Sequence, residues 1–196
     1  MTSNFDFIVI GGGSAGYAAA RTLCEDGEKV ALIDGGEELS GLCILRGCMP
    51  SKTLIYSAEV LHLAKQGEVF GFEKHGLHAD MAAMQKRKQE IIAEFADYRK
   101  GQLQDGRFSL FRSKAKFLSE NSVEVENETV LHANKFLIST GSKISMPPVP
   151  GLDQVSFKTS DDVLDLSEVP DEVTILGGGI VACELAQFLQ RVGSQV

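Results

Sequence analysis

Residues 7–16 read FIVIGGGSAG, which places a short apolar run directly before a glycine-rich turn. The run from Phe7 to Ile10 is uninterrupted, as is typical of a strand buried on both faces of a parallel sheet. Helix-forming residues follow from Ser14 to Glu25, and a second apolar run spans Val30 to Ile33. The pattern predicts a strand, a helix and a parallel strand in succession, with Asp34 at the end of the second strand.

The glycines of this turn have the spacing of a dinucleotide-binding loop. Gly11, Gly13 and Gly16 fit the pattern G-x-G-x-x-G. The first glycine permits the tight turn, the second lets the backbone approach a pyrophosphate, and the third packs the helix against the strand. Asp34 follows Gly13 by 21 residues, where its carboxylate can accept hydrogen bonds from ribose hydroxyls. A purely structural turn is the alternative, and the surrounding elements favour nucleotide binding.

The middle of the chain predicts two helices and a region of antiparallel strands. Helical patterns run from Pro50 to about Lys65 and from Ala79 to about Leu103. The basic cluster at residues 86–88 of the second helix is interpreted as a solvated face. Alternating apolar and polar residues between Arg107 and Leu137 predict an antiparallel meander, and Phe136 to Ser139 predicts a further buried strand.

The opening pattern recurs near the end of the chain. An apolar run from Val173 to Leu176 predicts a strand that enters a second glycine turn, and a helix is predicted from about Ile180 to Arg191. The second turn has a permitted variant of the fingerprint, formed by Gly177, Gly179 and Ala182. The sequence therefore predicts two nucleotide sites.

These patterns predict an α/β fold with two domains. Residues 1–150 would form a Rossmann-like domain with a parallel sheet and an antiparallel meander, and residues 151–196 the start of a second Rossmann-like domain. The boundary falls in a connection that carries Pro147, Pro148 and Pro150. One strand and one helix cannot cover both faces of a parallel sheet, so we expect this chain to be part of a longer protein.

Charge and hydropathy exclude several classes of partner. The formal net charge is −8 and there is no clustered basic face, which argues against nucleic acid because phosphate neutralisation needs such a face. No apolar run approaches the roughly 18 residues that span a bilayer. The first residues lack the basic and long apolar segments of a secretion signal. We therefore expect a cytoplasmic protein without membrane or nucleic-acid partners.

Cys43 and Cys48 are candidates for a redox-active pair. In a regular helix the Cα atoms of residues five apart lie about 8.6 Å from each other, beyond the disulfide limit of about 7 Å. A bridge therefore needs a distorted turn, which Gly47 permits and Pro50 delimits. Cys48 would then lie at the positive end of the following helix, with Lys52 one turn away. Both influences favour a thiolate.

Two alternatives remain open for these cysteines, a zinc half-site and a pair of unrelated buried thiols. Structural zinc sites take four ligands, commonly from close-spaced pairs of cysteine or histidine. Cys24 and Cys183 lie within predicted helices, where core packing is the default, and the histidines form no spaced cluster. We therefore predict no metal site.

The order of these motifs resembles the larger pyridine nucleotide-disulfide oxidoreductases, the family of dihydrolipoamide dehydrogenase, glutathione reductase and mercuric reductase. The specific part is the Cys-x4-Cys segment ending in Pro-Ser-Lys, residues 43–52, and residues 139–142 and 177–184 add to it. The resemblance implies FAD and either NAD or NADP as cofactors. It also implies that Cys48 is the thiol beside the flavin and that Cys43 exchanges with a thiol or disulfide substrate.

The resemblance also assigns the remaining site residues. Lys52 would lie near the flavin and pair with Glu184. The residues implied to bind FAD are Gly11, Gly13, Ser14, Ala15, Gly16, Asp34, Gly41, Leu42, Ala115, Thr140 and Gly141. The residues implied to bind the pyrophosphate of NAD or NADP are Gly177, Gly179 and Ala182.

The resemblance further implies a function for the longer protein. A dihydrolipoamide dehydrogenase-like enzyme is the first hypothesis, with a lipoyl-type or other small disulfide or dithiol as substrate and a homodimer as the assembly. A mercuric or glutathione reductase-like enzyme is the alternative. A flavin-binding module without thiol chemistry is a third hypothesis, in which the cysteines serve only for packing.

Overall fold

The computed structural model describes residues 2–73, 75–126 and 128–196. Packing divides the chain into two compact units. Unit one comprises Met1–Leu45 and Glu94–Ser142, and unit two comprises Arg46–Ala93 and Lys143–Val196. Both units are discontinuous in sequence, so this division differs from the predicted domain boundary at residue 150, which stays a prediction.

The described residues form six α-helices and eight strands, with two short 3-10 helices at Gly67–Phe70 and Leu152–Gln154. The helices are α1 (Ser14–Glu25), α2 (Leu42–Leu45), α3 (Cys48–Lys65), α4 (Met81–Leu103), α5 (Ser160–Leu164) and α6 (Ile180–Val192). The strands are β1 (Thr2–Asn4), β2 (Phe7–Ile10), β3 (Val30–Ile33), β4 (Ser109–Phe111), β5 (Lys116–Ser119), β6 (Ser122–Val125), β7 (Thr129–His132) and β8 (Lys135–Ile138). Within these ranges no helix combines the length and the hydropathy that a membrane span requires.

Unit one is built on a parallel sheet with the strand order β4-β3-β2-β8. Phe7 of β2 lies beside Val30 of β3 on one side and beside Lys135 of β8 on the other. All four residues of β3 are buried, as expected for a strand covered on both faces. Helix α1 packs Tyr17 and Ala20 against this sheet. The predicted α/β fold, with its opening strand, helix and parallel strand, is confirmed.

The predicted antiparallel meander is present in unit one as β5, β6 and β7, and β1 pairs in parallel with β7. The buried side chains of Val123 and Leu131 share a core with Ile8 and Ile33 of the parallel sheet. One part of the prediction was wrong, because β4 pairs in parallel with β3 and not with the meander. Alternation of apolar residues indicates a strand but does not identify the neighbouring strand, which depends on how the elements pack.

Helices α3 and α6 run parallel to each other in unit two. Lys52 pairs with Glu184 and Glu59 pairs with Arg191, and each pair joins residues 132 positions apart. Because the offset is the same at two points along the helices, both helices point in the same direction. Their shared apolar core contains Leu54, Ala58, Leu185, Phe188, Leu189 and Val192. The first residues of α3 and α6 therefore lie at the same end of the pair.

Helix α3 begins at Cys48, two residues before the predicted start at Pro50. Pro50 takes the third helical position instead of the first. A proline is tolerated there because the first backbone N–H groups of a helix have no acceptor within the helix. Cys48 is thus the first residue of an 18-residue helix and lies at its positive end.

Lys88 does not belong to the solvated basic face that the sequence predicted. Its side chain is buried, whereas Lys86 and Arg87 are exposed. Its Nζ donates hydrogen bonds of 2.6 Å to the Leu164 carbonyl oxygen and to Asp165 Oδ1. These acceptors belong to the last residue of α5 and to its C-cap, where the helix dipole favours a cation. The buried lysine therefore holds the end of α5 against α4.

The predicted strand from Val173 to Leu176 is not a regular strand in the described part of the chain. The Val173 N–H donates to the Gln195 carbonyl oxygen, and the Gln195 N–H donates to the Asp171 carbonyl oxygen. Glu172 and Gln195 form an isolated parallel bridge. A strand needs a ladder of such bonds, and one bridge does not make a ladder.

Candidate functional site

The first glycine loop lies in unit one at the carboxyl ends of β2 and β8. Gly11 has a φ of +106°, and a Cβ at this position would lie 2.2 Å from the Ser139 carbonyl oxygen. A Cβ on Gly16 would lie 1.7 Å from the Gly11 carbonyl oxygen. The loop therefore excludes side chains at both positions, as the roles of the first and third glycines require. The Thr140 nitrogen lies beside Gly11, so the structure brings Thr140 to this loop, and Gly141 follows it directly in the chain.

The backbone at Gly41 lies close to Gly13, the middle glycine of the fingerprint. A Cβ on Gly41, which has a φ of +79°, would lie 2.4 Å from the Gly13 Cα. Gly13 is the N-cap of α1 and supplies no side-chain cap, and the first turn carries no acidic residue. The first backbone N–H groups of α1 can therefore bind an anion, and Ser14 and Ala15 are exposed beside Gly13. Leu42 follows Gly41 as the first residue of α2.

Ser40 holds the segment that crosses this loop. It has a φ of +106°, which is unusual for a residue with a side chain, and it is fully buried. Its hydroxyl donates a 2.9 Å hydrogen bond to the Ala96 carbonyl oxygen of α4. This bond offsets part of the backbone strain, which costs about 1–3 kcal/mol at such positions. Ser40 thus anchors Gly41 over Gly13.

Asp34 is buried at the end of β3, and both of its carboxylate oxygens are engaged. Oδ2 accepts a 2.8 Å hydrogen bond from the Gly12 N–H. Oδ1 accepts bonds of 2.9 Å from the Gly36 N–H and from Arg112 Nη1. An ionised carboxylate has about four acceptor positions, so about one remains for a ribose hydroxyl. Arg112 carries no sequence signal of its own, because it lies 78 residues from Asp34 and outside any motif.

A cavity of about 640 Å³ opens beside Asp34 in unit one. This volume is in the range of sites for small molecules and cofactors. Ala115, which the resemblance implied in FAD binding, lines it together with Asp34 and Arg112. The remaining lining residues are Gly35, Gly36, Ser113, Lys114, Lys116, Glu124, Val125, Glu126 and Glu128. The cavity and the first glycine loop share Asp34 as their common wall.

Replacing Gly12 with alanine is expected to displace Asp34. A Cβ on Gly12 would lie 2.5 Å from Asp34 Oδ2, so the Gly12 N–H bond to that oxygen would break. We expect a loss of about 1–3 kcal/mol in the free energy of unfolding, from overpacking and from the lost bond to a charged group. Gly178→Ala is the matched control, because it is the same position of the second loop and its Cβ meets nothing within 4 Å. Urea unfolding, followed by circular dichroism, measures the free energy of unfolding of both variants. Equal losses in the two variants would contradict the close contact between Gly12 and Asp34.

The two candidate redox cysteines follow each other on successive helices. Cys43 lies in α2, is half-buried and carries a free thiol. Cys48 is exposed and opens α3, whose N-cap Gly47 supplies no side-chain cap. The Ser51 hydroxyl donates to the Cys48 carbonyl oxygen and closes this first turn. The position suits an anionic sulfur, and the bridge between the two cysteines stays a prediction.

The predicted pairing of Lys52 with Glu184 is present in unit two. Lys52 Nζ donates to both carboxylate oxygens of Glu184, at 2.7 and 2.6 Å. Lys52 lies one turn after Cys48 on α3, and Glu184 lies in the second turn of α6. The ion pair therefore links the helix that begins with a cysteine to the helix that follows the second glycine loop.

The second glycine loop is open where the first is closely packed. Gly177 has a φ of +116°, and a Cβ on Gly177, Gly178 or Gly179 would meet nothing within 4 Å. Gly179 caps α6 without a side-chain bond, which leaves the first N–H groups of that helix to an anion. Ala182 is half-buried and lines an apolar groove of about 750 Å³ in the same unit.

The other cysteines have no redox partner among the described residues. Burial raises the pKa of the Cys24 thiol, with Arg107 lowering it and Asp105 raising it by smaller amounts. Cys183 is exposed, and its sulfur lies 3.6 Å from the Gly178 carbonyl oxygen. Within residues 2–73, 75–126 and 128–196, no three histidine, cysteine or acidic side chains are placed to hold a metal ion.

Comparison with known families assigns nearly the whole chain. The profile described as "Pyridine nucleotide-disulphide oxidoreductase" matches residues 5–196. Mercuric reductase of Bacillus cereus is 37% identical over 194 residues, which cover 98% of this chain and 30% of that protein. Dihydrolipoyl dehydrogenase of Bacillus subtilis (strain 168) is also 37% identical, over 193 residues, which cover 96% of this chain and 42% of that protein.

A solved structure agrees with this assignment. The HOCl-induced flavoprotein disulfide reductase RclA from Escherichia coli superposes with a TM-score of 0.77 at 30% identity, covering 96% of this chain and 40% of that one. Its Cu(II) complex superposes with a TM-score of 0.78. The chain therefore spans less than half the length of the proteins it matches.

Proposed function

Because this chain belongs to the pyridine nucleotide-disulphide oxidoreductase family, we propose that the protein carrying it is an FAD- and NAD(P)-dependent disulfide oxidoreductase with Cys43 and Cys48 as its redox pair. One observation carries the proposal. Cys48 opens α3, and two ion pairs align α3 in parallel with α6, the helix that the second glycine loop opens. A candidate redox thiol and a candidate nucleotide loop are thus at the same end of one helix pair.

The residues of unit one fit the FAD that this family uses. When bound, FAD supplies a flavin ring that accepts a hydride and passes on two electrons. The N–H groups at the start of α1 would bind its pyrophosphate, because Gly13 and Gly41 leave no side chain in the way. The open acceptor position of Asp34 would take one ribose hydroxyl. Residues 177–182 would bind the pyrophosphate of NAD or NADP in the same manner.

The proposed thiol chemistry balances in three steps. In the first, two electrons and one proton open the Cys43–Cys48 bond and leave Cys48 as a thiolate and Cys43 as the exchanging thiol. Cys43 sulfur then attacks a substrate disulfide, and one substrate thiol leaves with a proton. Cys48 sulfur attacks Cys43, releases the second substrate thiol and restores the bond. The net reaction converts one substrate disulfide, two electrons and two protons into two thiols, and it also runs in reverse.

Two substrate classes have comparable support. Relatives named dihydrolipoyl dehydrogenase and mercuric reductase are each 37% identical to this chain. We place a lipoyl-type or other small disulfide first, because it needs only the two cysteines of this chain, and mercuric ion second. Turnover of dihydrolipoamide with NAD⁺ or NADP⁺, set against NADH- or NADPH-dependent reduction of Hg²⁺, separates them. The homodimer stays a proposal that rests on the resemblance, and the cytoplasmic location stays a proposal that rests on the sequence patterns of the first residues and of the apolar runs.

Anaerobic reduction of the full-length protein tests the proposal. At two electrons per FAD we expect a long-wavelength absorption band from a Cys48 thiolate in contact with oxidised flavin. Bleaching of the flavin without that band would instead indicate a flavin-binding module without thiol chemistry. Stoichiometric zinc in the purified protein would indicate that the cysteines bind metal, and it would likewise overturn the proposal.

A further inference from the structure

We propose that Arg112 determines the specificity of the adenosine part of the FAD site, as a flat surface on which the adenine stacks and not as a cation that binds phosphate. The proposal rests on the FAD site proposed for unit one. It adds a residue that neither the fingerprint nor the family motifs include, and it assigns that residue a role through the contacts of its guanidinium.

The hydrogen bonds of Arg112 occupy the edge of its guanidinium. Nη1 donates to Asp34 Oδ1 at 2.9 Å and to the Asp34 carbonyl oxygen at 3.2 Å. Nη2 donates to the carbonyl oxygens of Gly36 and Glu37. Four of the five N–H groups of the side chain are thereby used, and all of them lie in the guanidinium plane. An incoming phosphate would find only Nε–H, whereas none of these hydrogen bonds occupies a flat face of the guanidinium.

Arg112 also forms part of the cavity wall. Its side chain is 38% exposed, and it lines the cavity beside Asp34 and Ala115. Because the edge of the guanidinium is turned to residues 34–37, the part that a ligand can meet is a face. Arginine stacks on aromatic surfaces in this way, by cation–π attraction and by contact of the two planes.

The charges of the cavity favour an adenosine without an additional phosphate. Arg112 neutralises Asp34 through their ion pair. Of the other lining residues, Lys114 and Lys116 are basic, and Glu124, Glu126 and Glu128 are acidic. The remaining charge is therefore slightly negative, which repels a phosphate on the ribose but not a neutral adenosine. The ligand class of the cavity is an adenine nucleoside whose ribose hydroxyls are free.

The same contacts make Arg112 a brace for Asp34. It holds the main chain of residues 34–37 at three carbonyl oxygens and fixes Asp34 Oδ1, so that the acceptor position left for a ribose hydroxyl is on Asp34 Oδ2. A lysine could supply the charge but not this planar fork. Stacking and bracing therefore depend on the shape of the guanidinium, and not only on its charge.

The test compares ligands with and without adenine on the apo form of the full-length protein. Calorimetry measures the dissociation constants of ADP and of inorganic pyrophosphate, and quenching of flavin fluorescence measures that of FAD. In Arg112→Lys we expect FAD and ADP to bind about 10-fold more weakly and pyrophosphate to change less than about twofold. Arg107→Lys is the control, because Arg107 pairs with Asp105 and does not line the cavity.

The ratio of the ADP and pyrophosphate dissociation constants remains informative even if Arg112→Lys is partly unfolded, because a smaller folded fraction weakens the binding of both ligands equally. A ratio unchanged from the wild type would overturn the stacking role. A larger loss for pyrophosphate than for ADP would identify Arg112 as a phosphate ligand and would also overturn it. Failure of the wild-type protein to bind FAD would instead contradict the proposed function itself.

Discussion

Alanine at position 16 is expected to prevent the first glycine loop from forming its native structure. A Cβ there would lie 1.7 Å from the Gly11 carbonyl oxygen and 2.6 Å from the Ser139 hydroxyl oxygen. The Gly11 carbonyl oxygen is a backbone atom directly after β2. The steric clash can therefore be relieved only if α1 moves away from the parallel sheet. Overpacking of a well-packed core costs about 1–3 kcal/mol, and we expect at least the upper end of that range here.

The second glycine loop supplies the matched control, because it carries alanine at the equivalent position. Ala182→Gly adds no atoms and lies inside α6, so it should cost only about 1 kcal/mol through helix propensity. Urea unfolding of both variants, followed by circular dichroism, gives the comparison. Equal midpoints for Gly16→Ala and the wild type would mean that the helix and the strand do not pack as closely as described.

Serine at position 48 is expected to abolish disulfide reduction, with a loss in kcat of at least roughly 10³-fold. A hydroxyl cannot form the disulfide that accepts two electrons, and it is not a thiolate nucleophile at neutral pH. Cys48 is exposed at the start of α3 and is not a member of the apolar core of unit two. We therefore expect a folded protein that lacks the long-wavelength band on two-electron reduction.

Cys24→Ser is the control for this loss. Burial raises the pKa of the Cys24 thiol, so little of it is a thiolate at neutral pH, and it lies within α1. The kcat of the Cys24→Ser variant should stay within about twofold of the wild-type value, because Cys24 has no part in the proposed exchange. NAD(P)H-dependent reduction of a small disulfide, measured under steady-state conditions, reports both variants. Full activity in Cys48→Ser would show that another group performs the exchange.

Much of the fold and part of the site follow from local patterns. The bounds of α1 and β3 agree with the predicted ones, because an apolar run followed by glycines and a helical pattern contains its own periodicity. The pairing of Lys52 with Glu184 also followed, through the resemblance of two motifs. In these cases the deciding information lies within single elements or within motifs that can each be recognised from the local sequence.

The remaining features depend on residues far apart in the chain, and only the tertiary structure decides them. The local sequence predicts that Lys88 belongs to a solvated face. In the structure its ammonium is buried against the Leu164 carbonyl oxygen and the Asp165 carboxylate, which lie 76 and 77 residues later in the chain. Arg112 contacts Asp34, 78 residues away, because β4 pairs with β3. The alternation of apolar and polar residues in the sequence does not predict which strand is the neighbour of β4. By itself, the sequence determined the opening strand, helix and parallel strand, the glycine loops and the family. Tertiary packing decided which charges are buried and how many acceptors of Asp34 stay open, because both depend on neighbours that are distant along the chain.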